Sequence, residues 1–584
     1  MAWPYHFVDL DADAKALRRE ALDRYALYSQ LLVLLPVVGL LARRVLSNAF
    51  KSSSGDDSSP SAYSAVPDSP QAKSRRSSAW GSRAGALRAA LWWLGGEVHL
   101  LGEHRGERLV WLLGGGWAAW LLLLCFLETG DDYLHLTKRF GIVAAAQLPI
   151  QYLLSLKYLN PFAYVFRTSH EEVNKWHRVL GRIIYMLLLL HVVFYVNFLA
   201  QAGVLGRRIF APIVFAGVVS WAGINLLMAT ALPMVRRFSY RIFFVTHLFV
   251  SFAVPVLIFF HAPPVRVSVC VALASVLADI TVRRLRTMTG RAVMEAIPGT
   301  DLVKVTVAIP PGRSNAFRQH PGSHVYVSIP EAARPDLTST SSLIYEFLFN
   351  PFTVADVDEA TGDLTLVARR RTGPMTAALA RFAKSSGSAA HANYDETRIP
   401  LFVEGPYGAA KHFPNLAGPG FDRVLLVAGG VGATFAVPLY RAIRHDNPSA
   451  KVELVWALRG AGDATWADKG PVSILADENV HLFLTGPLLG DSAASGSSLA
   501  VPDGDGGTEL NALYRRGGRL TAQHNRRRPD LRRLVDDVFR HGSEERVAVL
   551  VCGPEEMVRE TRRCVGPWVS RGREVWWHNE SFGW

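Results

Sequence analysis

Four histidines within apolar stretches are the residues of this sequence whose types and spacing most clearly suggest chemistry. His177 and His191 are 14 positions apart in one stretch, and His247 and His261 are 14 positions apart in another. Fourteen helical residues rise about 21 Å and turn the second side chain to within about 40° of the first. Both members of a pair therefore face the same way, near opposite sides of a membrane. The pattern predicts two sites in which imidazoles bind a haem iron from both sides.

Seven apolar stretches approach the length of about 20 residues that a helix needs to cross a bilayer. In chain order they cover residues 25–46, 109–127, 139–157, 178–200, 211–232, 241–261 and 264–282. Because the stretch 211–232 returns the chain once, the two histidine-bearing stretches run parallel. His177 is then level with His247, and His191 with His261. Haem irons with both axial positions filled pass single electrons but do not readily bind oxygen.

Length, composition and charge set the class of protein. A chain of 584 residues with 49% hydrophobic residues is too long for one domain and too apolar to be wholly soluble. The net charge of +13 comes mostly from Lys and Arg beside apolar runs, which predicts membrane topology signals and no nucleic-acid partner. The four cysteines show neither metal-ligand spacing nor a disulfide pattern, so thiols are not expected to do the redox chemistry.

Lys and Arg are concentrated in every second connection between the apolar stretches. The segments after the first, third, fifth and seventh stretches carry Lys and Arg and are predicted to be cytoplasmic. The connection 128–135 is acidic and is predicted to lie outside, although Arg207 and Arg208 depart from the pattern in another outside loop. The C-terminal half is then cytosolic. Residues 50–80 and 487–529 have loop compositions and are expected to be disordered insertions.

Beyond residue 286 the sequence changes to short apolar runs bounded by Gly and Pro, and after about residue 423 strands and helices alternate. This order predicts a small β-barrel followed by a doubly wound α/β domain. A buried-strand run at 423–428 leads into a glycine turn and a helix, an arrangement that lets the backbone approach a diphosphate. The residues of this turn are Gly429, Gly430, Gly432 and Thr434.

Two further loops belong to the same predicted edge of the sheet. The strand 451–458 ends at Arg459, where a cation could bind a 2′-phosphate and select NADPH over NADH. The strand 547–551 runs into a second loop at the carboxyl edge, where such folds bind ligands. This second loop consists of Cys552, Gly553 and Pro554.

With these residues in place, the sequence resembles the fungal ferric reductases, of the ferric reductase and NADPH oxidase superfamily, over roughly residues 140–584. Residues 174–182 are similar to the start of that family's haem helix, and the equal spacing of both histidine pairs is closer to the reductases than to the oxidases. The resemblance implies a multi-domain fold. An all-α transmembrane helical bundle precedes a ferredoxin-reductase-like module, which joins an antiparallel β-barrel FAD domain to a doubly wound α/β NADPH domain.

The resemblance also implies which residues contact the cofactors. Pro351, Phe352 and Thr353 resemble part of the family's FAD signature, with Asn350 in place of its histidine, and residues 321–325 resemble the strand before it. The turn at 429–434 resembles the NADPH diphosphate loop, and the loop 552–554 the nicotinamide-side loop. The remaining implied contacts are Arg371, Gly373 and Thr376 at the FAD diphosphate, Gly405 and Gly408 in the barrel-exit loop, and the C-terminal Trp584 over the flavin ring.

The spans and the resemblance together give an expected domain organisation. The N-terminus is extracytoplasmic, extra transmembrane helices with a cytosolic loop precede the haem-binding domain, and the FAD and NADPH domains follow. The corresponding ranges are 1–24, 25–137, 138–283, 284–420 and 421–584.

The resemblance implies a transmembrane ferric-chelate reductase that moves electrons from cytosolic NADPH through FAD and two b-type haems to extracytoplasmic ferric iron for iron uptake. Implied partners are ferric chelates or siderophore-bound iron, the lipid bilayer and, functionally, an iron permease. The implied location is the plasma membrane, with the vacuolar membrane as an alternative. Three other functions stay open at this point: a superoxide-producing NADPH oxidase, a metal or proton transporter with a regulatory nucleotide-binding domain, and a haem-binding membrane protein without activity.

Overall fold

The computed structural model describes residues 5–53, 79–100, 103–334, 349–371, 373–388, 398–468, 473–486, 527–542 and 544–580. The chain divides into two compact units, Met1–Lys73 with Leu94–Leu285, and Ser74–Trp93 with Arg286–Trp584. Trp584 and most of the expected insertion at 487–529 lie outside the described residues, as does most of the expected disordered segment 50–80.

The described part of the chain up to residue 286 is helical apart from one short hairpin. Its helices are α1 (Ala12–Ser53), α2 (Ala79–Leu94), α3 (Arg108–Phe126), α4 (Tyr133–Ala146), α5 (Leu148–Leu153), α6 (Pro161–Phe166), α7 (His170–Gln201), α8 (Leu205–Arg208), α9 (Pro212–Thr230), α10 (Pro233–Phe238), α11 (Tyr240–His261) and α12 (Arg266–Arg286). The hairpin pairs β1 (Glu97–Leu100) with β2 (Glu103–Glu107). Helix α2 belongs to the second unit up to Trp93, and the other helices belong to the first unit up to Leu285.

Among the described residues, six helical segments are long and apolar enough to cross a membrane, so the chain is a multi-pass membrane protein. They are Ala12–Arg43, Arg108–Phe126, His170–Gln201, Pro212–Thr230, Tyr240–His261 and Pro263–Arg286. The predicted membrane-spanning stretch 139–157 is not among the six, because the chain there forms the shorter helices α4 and α5 on either side of Gln147. Pro149 accounts for the break, since proline lacks the N–H of an uninterrupted helix and its ring clashes with the preceding turn.

Side-chain caps determine where two of the important helices begin. Ser169 precedes α7, and its hydroxyl accepts a hydrogen bond from the Glu172 N–H at 3.3 Å, in the capping pattern S-x-x-E. Asp132 precedes α4, and its carboxylate accepts from the N–H groups of Leu134 and His135 at 2.9 and 3.0 Å. These caps fix the starting point, and therefore the facing direction, of the side chains that follow.

A buried carboxylate joins α12 to the connection between α5 and α6. Asp279 of α12 is 3% exposed and accepts hydrogen bonds from the N–H groups of Tyr158 and Leu159 at 2.9 and 2.7 Å. These amides lie between α5 and α6, where no helical partner is available to them. An unpaired acid at this depth would be costly, so its full use as an acceptor explains its presence in an apolar helix.

The first part of the second unit is a closed antiparallel barrel with strand order β3-β4-β7-β6-β5-β8. Its strands are β3 (Met288–Ala296), β4 (Leu302–Ala308), β5 (His324–Ser328), β6 (Asn350–Val357), β7 (Leu364–Arg369) and β8 (Ile399–Tyr407), accompanied by helices α13 (Pro311–Arg318) and α14 (Pro374–Ser388). Inward-facing aliphatic side chains from all six strands form one core. Closure pairs every strand on both sides, which removes exposed sheet edges.

The second part of this unit is a five-stranded parallel sheet with order β11-β10-β9-β12-β13. Its strands are β9 (Arg423–Gly429), β10 (Val452–Leu458), β11 (Val480–Leu484), β12 (Val547–Cys552) and β13 (Val575–Glu580), and its helices are α15 (Ala433–Asp446), α16 (Leu531–Arg540) and α17 (Glu555–Ser570). The order reverses between β9 and β12, which makes the carboxyl ends of these two strands the switch point of a doubly wound fold. The predicted fold class is confirmed.

Candidate functional site

His177 of α7 and His247 of α11 lie close to each other. The ring centroids of His177 and His247 are 6.3 Å apart, with the ring planes at 64°. Two imidazoles that bind one metal ion through bonds of about 2 Å have ring centroids about 6 Å apart. The predicted pairing of these two side chains is therefore present in the fold, at a spacing that fits a single metal centre between the rings.

Three of the four histidines place Nδ1 against a backbone carbonyl. The Nδ1–O distances are 2.9 Å from His177 to Gln151, 2.7 Å from His191 to Thr137 and 2.7 Å from His261 to Ile213. Because a carbonyl oxygen only accepts, Nδ1 donates the hydrogen and Nε2 presents its lone pair, which is the usual state of a metal-binding histidine. Nδ1 of His247 is buried and has no hydrogen-bond partner among the described residues.

Two glycines let neighbouring helices approach His191 and His261. A Cβ atom at Gly141 in α4 would lie 2.8 Å from Nδ1 of His191, and one at Gly217 in α9 would lie 2.5 Å from Cε1 of His261. Non-bonded atoms do not pack that closely, so a larger residue at either position would displace an imidazole. The histidine spacing was visible in the sequence, whereas these two glycines were not singled out.

The acidic connection 128–135, predicted to lie outside, is paired with basic residues of α1. Asp132 lies 2.9 Å from Arg18, with both side chains 12% exposed, and Glu128 lies 2.8 Å from Arg24. The connection therefore contributes two ion pairs rather than a free cluster of carboxylates.

Sequence reasoning missed a buried polar group next to this connection. Arg139 of α4 is 0% exposed, and its guanidinium donates to the Leu124 carbonyl at 3.1 Å and to Nε2 of His135 at 2.8 Å. Its carbon Cζ lies 3.9 Å from the centroid of the Tyr25 ring. An arginine at the start of an apolar stretch was the signal that could have identified it, because ionisable residues at membrane depth usually have a role.

In the barrel, the residues of the expected FAD signature lie on paired strands. Val325 is opposite Phe352 and His324 is opposite Thr353 in the antiparallel β5–β6 pair, and Pro351 adjoins them. Oδ1 of Asn350 is buried and has no hydrogen-bond partner among the described residues. Buried polar atoms in folded proteins nearly always have a hydrogen-bond partner, so this oxygen is a candidate contact for a bound molecule.

A tight turn precedes α14 of the barrel. The Thr376 hydroxyl accepts from the Arg371 N–H at 3.2 Å and donates to the Arg371 carbonyl at 3.1 Å, and its oxygen lies 3.3 Å from the Gly373 carbonyl. The three residues predicted at the FAD diphosphate are thus brought together. Free N–H groups at the first turn of a helix suit an anionic diphosphate.

The barrel-exit loop packs directly against β5. A Cβ at Gly405 would lie 3.0 Å from Cγ1 of Val325, and one at Gly408, whose φ is +108°, would lie 3.1 Å from Nδ1 of His324. Both glycines are therefore required by close approach to the strand that also pairs with the FAD signature.

The loops after β9 and β12 meet at the switch point of the parallel sheet. A side chain at Gly432 would overlap the Cys552 carbonyl oxygen, and a Cβ at Gly429 would lie 2.6 Å from Cδ of Pro554 and 3.3 Å from Cα of Gly553. The two predicted nucleotide loops are therefore in direct contact. Two further residues of the first loop are Gly430, with φ +55°, and Thr434, which is 2% exposed.

Arg459 lies one strand away, directly after β10, which neighbours β9. Its side chain is exposed, while its carbonyl oxygen accepts a hydrogen bond from the Gly486 N–H at 3.1 Å. The anchored backbone and the exposed guanidinium place a cation on the same edge of the sheet as the glycine turn, as the sequence predicted.

Cys552 is 1% exposed within this edge. Burial raises the pKa of its thiol, and the nearby Glu580 carboxylate raises it further. The sulfur is therefore a neutral thiol at physiological pH, which suits a packing role and not a nucleophilic one.

Three family models match consecutive parts of the chain. They are the ferric reductase like transmembrane component at residues 140–258, the FAD-binding domain at 288–411 and the ferric reductase NAD binding domain at 421–566. Together they follow the helical unit, the barrel and the parallel sheet in order.

Curated relatives agree with these matches. A "Probable metalloreductase AIM14" of Scheffersomyces stipitis is 23% identical, over 79% of this chain and 85% of that protein. A "Ferric/cupric reductase transmembrane component 2" of Schizosaccharomyces pombe is also 23% identical, over 76% of this chain and 80% of that protein. Among solved structures, Amycolatopsis cytochrome P450 reductase GcoB covers 51% of this chain and 70% of its own at 16% identity and a TM-score of 0.30.

Proposed function

Because the chain belongs to the ferric reductase family, we propose that it reduces ferric chelates on the outer side of a membrane with electrons taken from cytosolic NADPH. Family membership makes the protein a transmembrane oxidoreductase with FAD-binding and NAD-binding domains. The choice of NADPH as donor, two b-type haems within the bilayer, ferric iron as acceptor, iron uptake as the purpose and the plasma membrane as the location belong to the proposal.

The observation that carries the proposal is the arrangement of the four histidines. One pair has ring centroids 6.3 Å apart, and three of the four rings donate Nδ1–H to a carbonyl, leaving Nε2 able to coordinate a metal. Each pair supplies two nitrogens, which is what an iron already held by a porphyrin requires. We assign His177 and His247 to the inner haem and His191 and His261 to the outer haem.

When bound, FAD would supply the exchange between a two-electron hydride donor and single-electron carriers, and haem iron would supply single-electron transfer. The chain's own residues hold and orient these groups. The carbonyls of Gln151, Thr137 and Ile213 fix the rotation of three imidazoles, and Gly141 and Gly217 leave space for two of them.

The barrel residues are assigned to FAD on the basis of their placement. Phe352 and Thr353 lie opposite β5, and the Arg371 turn offers the first N–H groups of α14 to the diphosphate. The unpartnered Oδ1 of Asn350 is available to a polar group of the cofactor at the position where the family has histidine. Trp584 is proposed to cover the flavin ring.

The residues at the switch point are assigned to the nicotinamide nucleotide. The glycine turn 429–434 would receive the diphosphate at the start of α15, and the loop 552–554 would lie beside the nicotinamide. The exposed guanidinium of Arg459 supports NADPH over NADH, because a 2′-phosphate gains a charge-assisted hydrogen bond there and a 2′-hydroxyl does not.

Ferric iron is the proposed acceptor because the relatives are named as metalloreductases and ferric or cupric reductases. Ferric chelates or siderophore-bound iron would meet the protein on the side of the connection 128–135. Reduction there would deliver ferrous iron to a permease in the same membrane.

Spectroscopy of the purified full chain tests the proposal. We expect low-spin b-type haem bands that are reduced on anaerobic addition of NADPH and reoxidised by ferric citrate. The variants His177→Ala and His247→Ala should lose the inner haem, whereas His445→Ala, an exposed histidine of α15, should keep both haems.

Three outcomes would contradict parts of the proposal. Absence of haem, or unchanged haem content after replacement of His177 and His247, would remove the ligand assignment. Reoxidation by air but not by ferric citrate, with superoxide formed, would identify an oxidase.

A further inference from the structure

From Gly85 to Leu94, helix α2 is apolar on two opposite faces. Between Gly85 and Leu94 its only charged residue is Arg88, and the rest are Gly, Ala, Leu and Trp. A helix on the surface of a soluble domain ordinarily buries one apolar stripe and turns a polar face to water. Helix α2 therefore requires a second apolar environment in addition to the one that its own unit provides.

The first face of α2 packs on the nucleotide-binding domain. The Trp92 ring meets the Trp577 ring edge-on, with centroids 5.7 Å apart, and the Arg562 guanidinium lies 4.2 Å from the Trp92 ring centroid. Arg562 also donates to the Trp92 carbonyl at 2.9 Å, and Arg88 donates to the Gly572 carbonyl at 3.3 Å. These contacts attach the helix to α17 and β13.

Between Gly85 and Leu94, the second face of α2 is exposed and carries no polar side chain. Leu87 is 61% exposed and Leu91 is 57% exposed, and the two lie one helical turn apart. Ala86 and Ala90 continue the same exposed surface. Leu87 and Trp92 differ by five positions, which separates their directions by about 140° around the helix. The exposed leucines thus point away from the nucleotide-binding domain.

The position of α2 in the chain indicates what covers this face. The helix lies between the membrane-crossing segments Ala12–Arg43 and Arg108–Phe126, and its last residue is 14 positions before Arg108. Residues 69–96 contain five basic residues and no acidic one. Basic segments next to membrane spans are attracted to anionic lipids, and leucine and tryptophan on a short helix are typical of interfacial insertion.

We propose that α2 is an interfacial helix. Its Leu87–Leu91 face lies in the anionic cytoplasmic surface of the bilayer, while its Trp92 face carries the nucleotide-binding domain. The helix would thereby hold the loops after β9 and β12 near the lipid surface through a contact separate from the covalent connection at Arg286. The proposal uses the cytosolic orientation of the C-terminal half but not the identity of the electron acceptor.

Lipid-depth quenching in the reconstituted full chain tests this proposal. A fluorescent maleimide is attached to Leu91→Cys in a Cys270→Ser, Cys564→Ser background, in bilayers of about 70:30 phosphatidylcholine and phosphatidylserine. A nitroxide near the headgroup end of some acyl chains acts as the quencher. The control label is attached to Glu560→Cys, an exposed position on α17 of the same domain. We expect quenching at position 91 to exceed that at position 560 by about threefold or more.

A second variant checks that the signal comes from the apolar face. With Leu87→Glu added, quenching of the label at position 91 should fall to the level of the control. Equal quenching at 91 and 560 from the start would overturn the proposal. Energy transfer between differently labelled chains without lipid quenching would also overturn it, since a second copy would then cover the face. Neither NADPH nor ferric chelate is needed, so the result is independent of the reductase assignment.

Discussion

At the scale of single residues, glycines beside the outer histidines should control haem binding. A Cβ at Gly217 would lie 2.5 Å from Cε1 of His261, so Gly217→Ala should push this imidazole out of position. We expect haem per chain, measured by pyridine haemochrome assay, to fall from about two to about one. Gly116→Ala in α3 is the matched control, because a Cβ there meets nothing within 4 Å. Full haem content in Gly217→Ala would show that His261 is not held in this way.

The glycine turn after β9 gives a corresponding prediction for the nucleotide site. A side chain at Gly432 would overlap the backbone carbonyl of Cys552, which cannot move as a flexible side chain can. Overpacking of about 1–3 kcal/mol corresponds to roughly 5–150-fold weaker NADPH binding. Stopped-flow reduction of the flavin at varied NADPH measures this. Gly460→Ala, next to β10 in open space, should behave as the wild type, and an unaffected Gly432→Ala would contradict the contact.

The buried thiol of Cys552, at the carboxyl edge of the parallel sheet, should not react with alkylating reagents in the folded protein. Burial raises the pKa of Cys552, so the reactive thiolate is scarce at neutral pH and becomes available only above that raised pKa. In the folded protein at about pH 7.5, alkylation by iodoacetamide should leave Cys552 unmodified by mass spectrometry, whereas denatured protein should be modified fully. Stoichiometric alkylation of Cys552 without unfolding would argue for an open, activated thiol.

At the scale of elements, Asp132 should stabilise the start of α4. Its carboxylate accepts from two N–H groups of the first turn and pairs with Arg18 at 2.9 Å. Loss of a helix cap costs about 1 kcal/mol, so Asp132→Ala should lower the thermal midpoint by about 2–4 °C. Asp131→Ala, at an exposed neighbouring position, serves as the control. Equal midpoints for the two variants, measured by differential scanning fluorimetry, would show that the cap and ion pair contribute little.

The elements also show how far the sequence determined the fold. Hydropathy was sufficient for six spans, because each is a nearly uninterrupted apolar run of membrane length. It failed near Gln147, because an average over the apolar stretch does not register the break that Pro149 introduces. The role of α2 was also missed, because its contacts with Arg562 and Trp577 join residues more than 450 positions apart. No local pattern reports such a contact.

Some features of the candidate site could likewise be predicted from the sequence, and others could not. Equal spacing was enough to predict the His177–His247 pairing, since helical geometry converts 14 positions into one face. Glycine turns and strand ends placed Gly429 and Cys552 at one edge, because parallel strands align their carboxyl ends. The carbonyl partners of the histidines and the buried Arg139 network could not be derived, because they depend on which helices become neighbours.

At the scale of the whole molecule, the described residues that we assign to the nucleotide and the flavin lie in one compact unit, and the four histidines lie in the other. The two partial reactions should therefore be separable by mutation. His177→Ala should retain wild-type reduction of the flavin by NADPH, because its ring lies in the helical unit, yet lose ferric citrate reduction. Gly432→Ala should slow the reduction of the flavin by NADPH. Its haem should be reduced normally by dithionite but slowly by NADPH. Stopped-flow absorbance at the flavin and haem bands measures both. If His177→Ala slowed flavin reduction as strongly as Gly432→Ala, the histidines would support the flavin unit itself and would not form a separate stage of transfer.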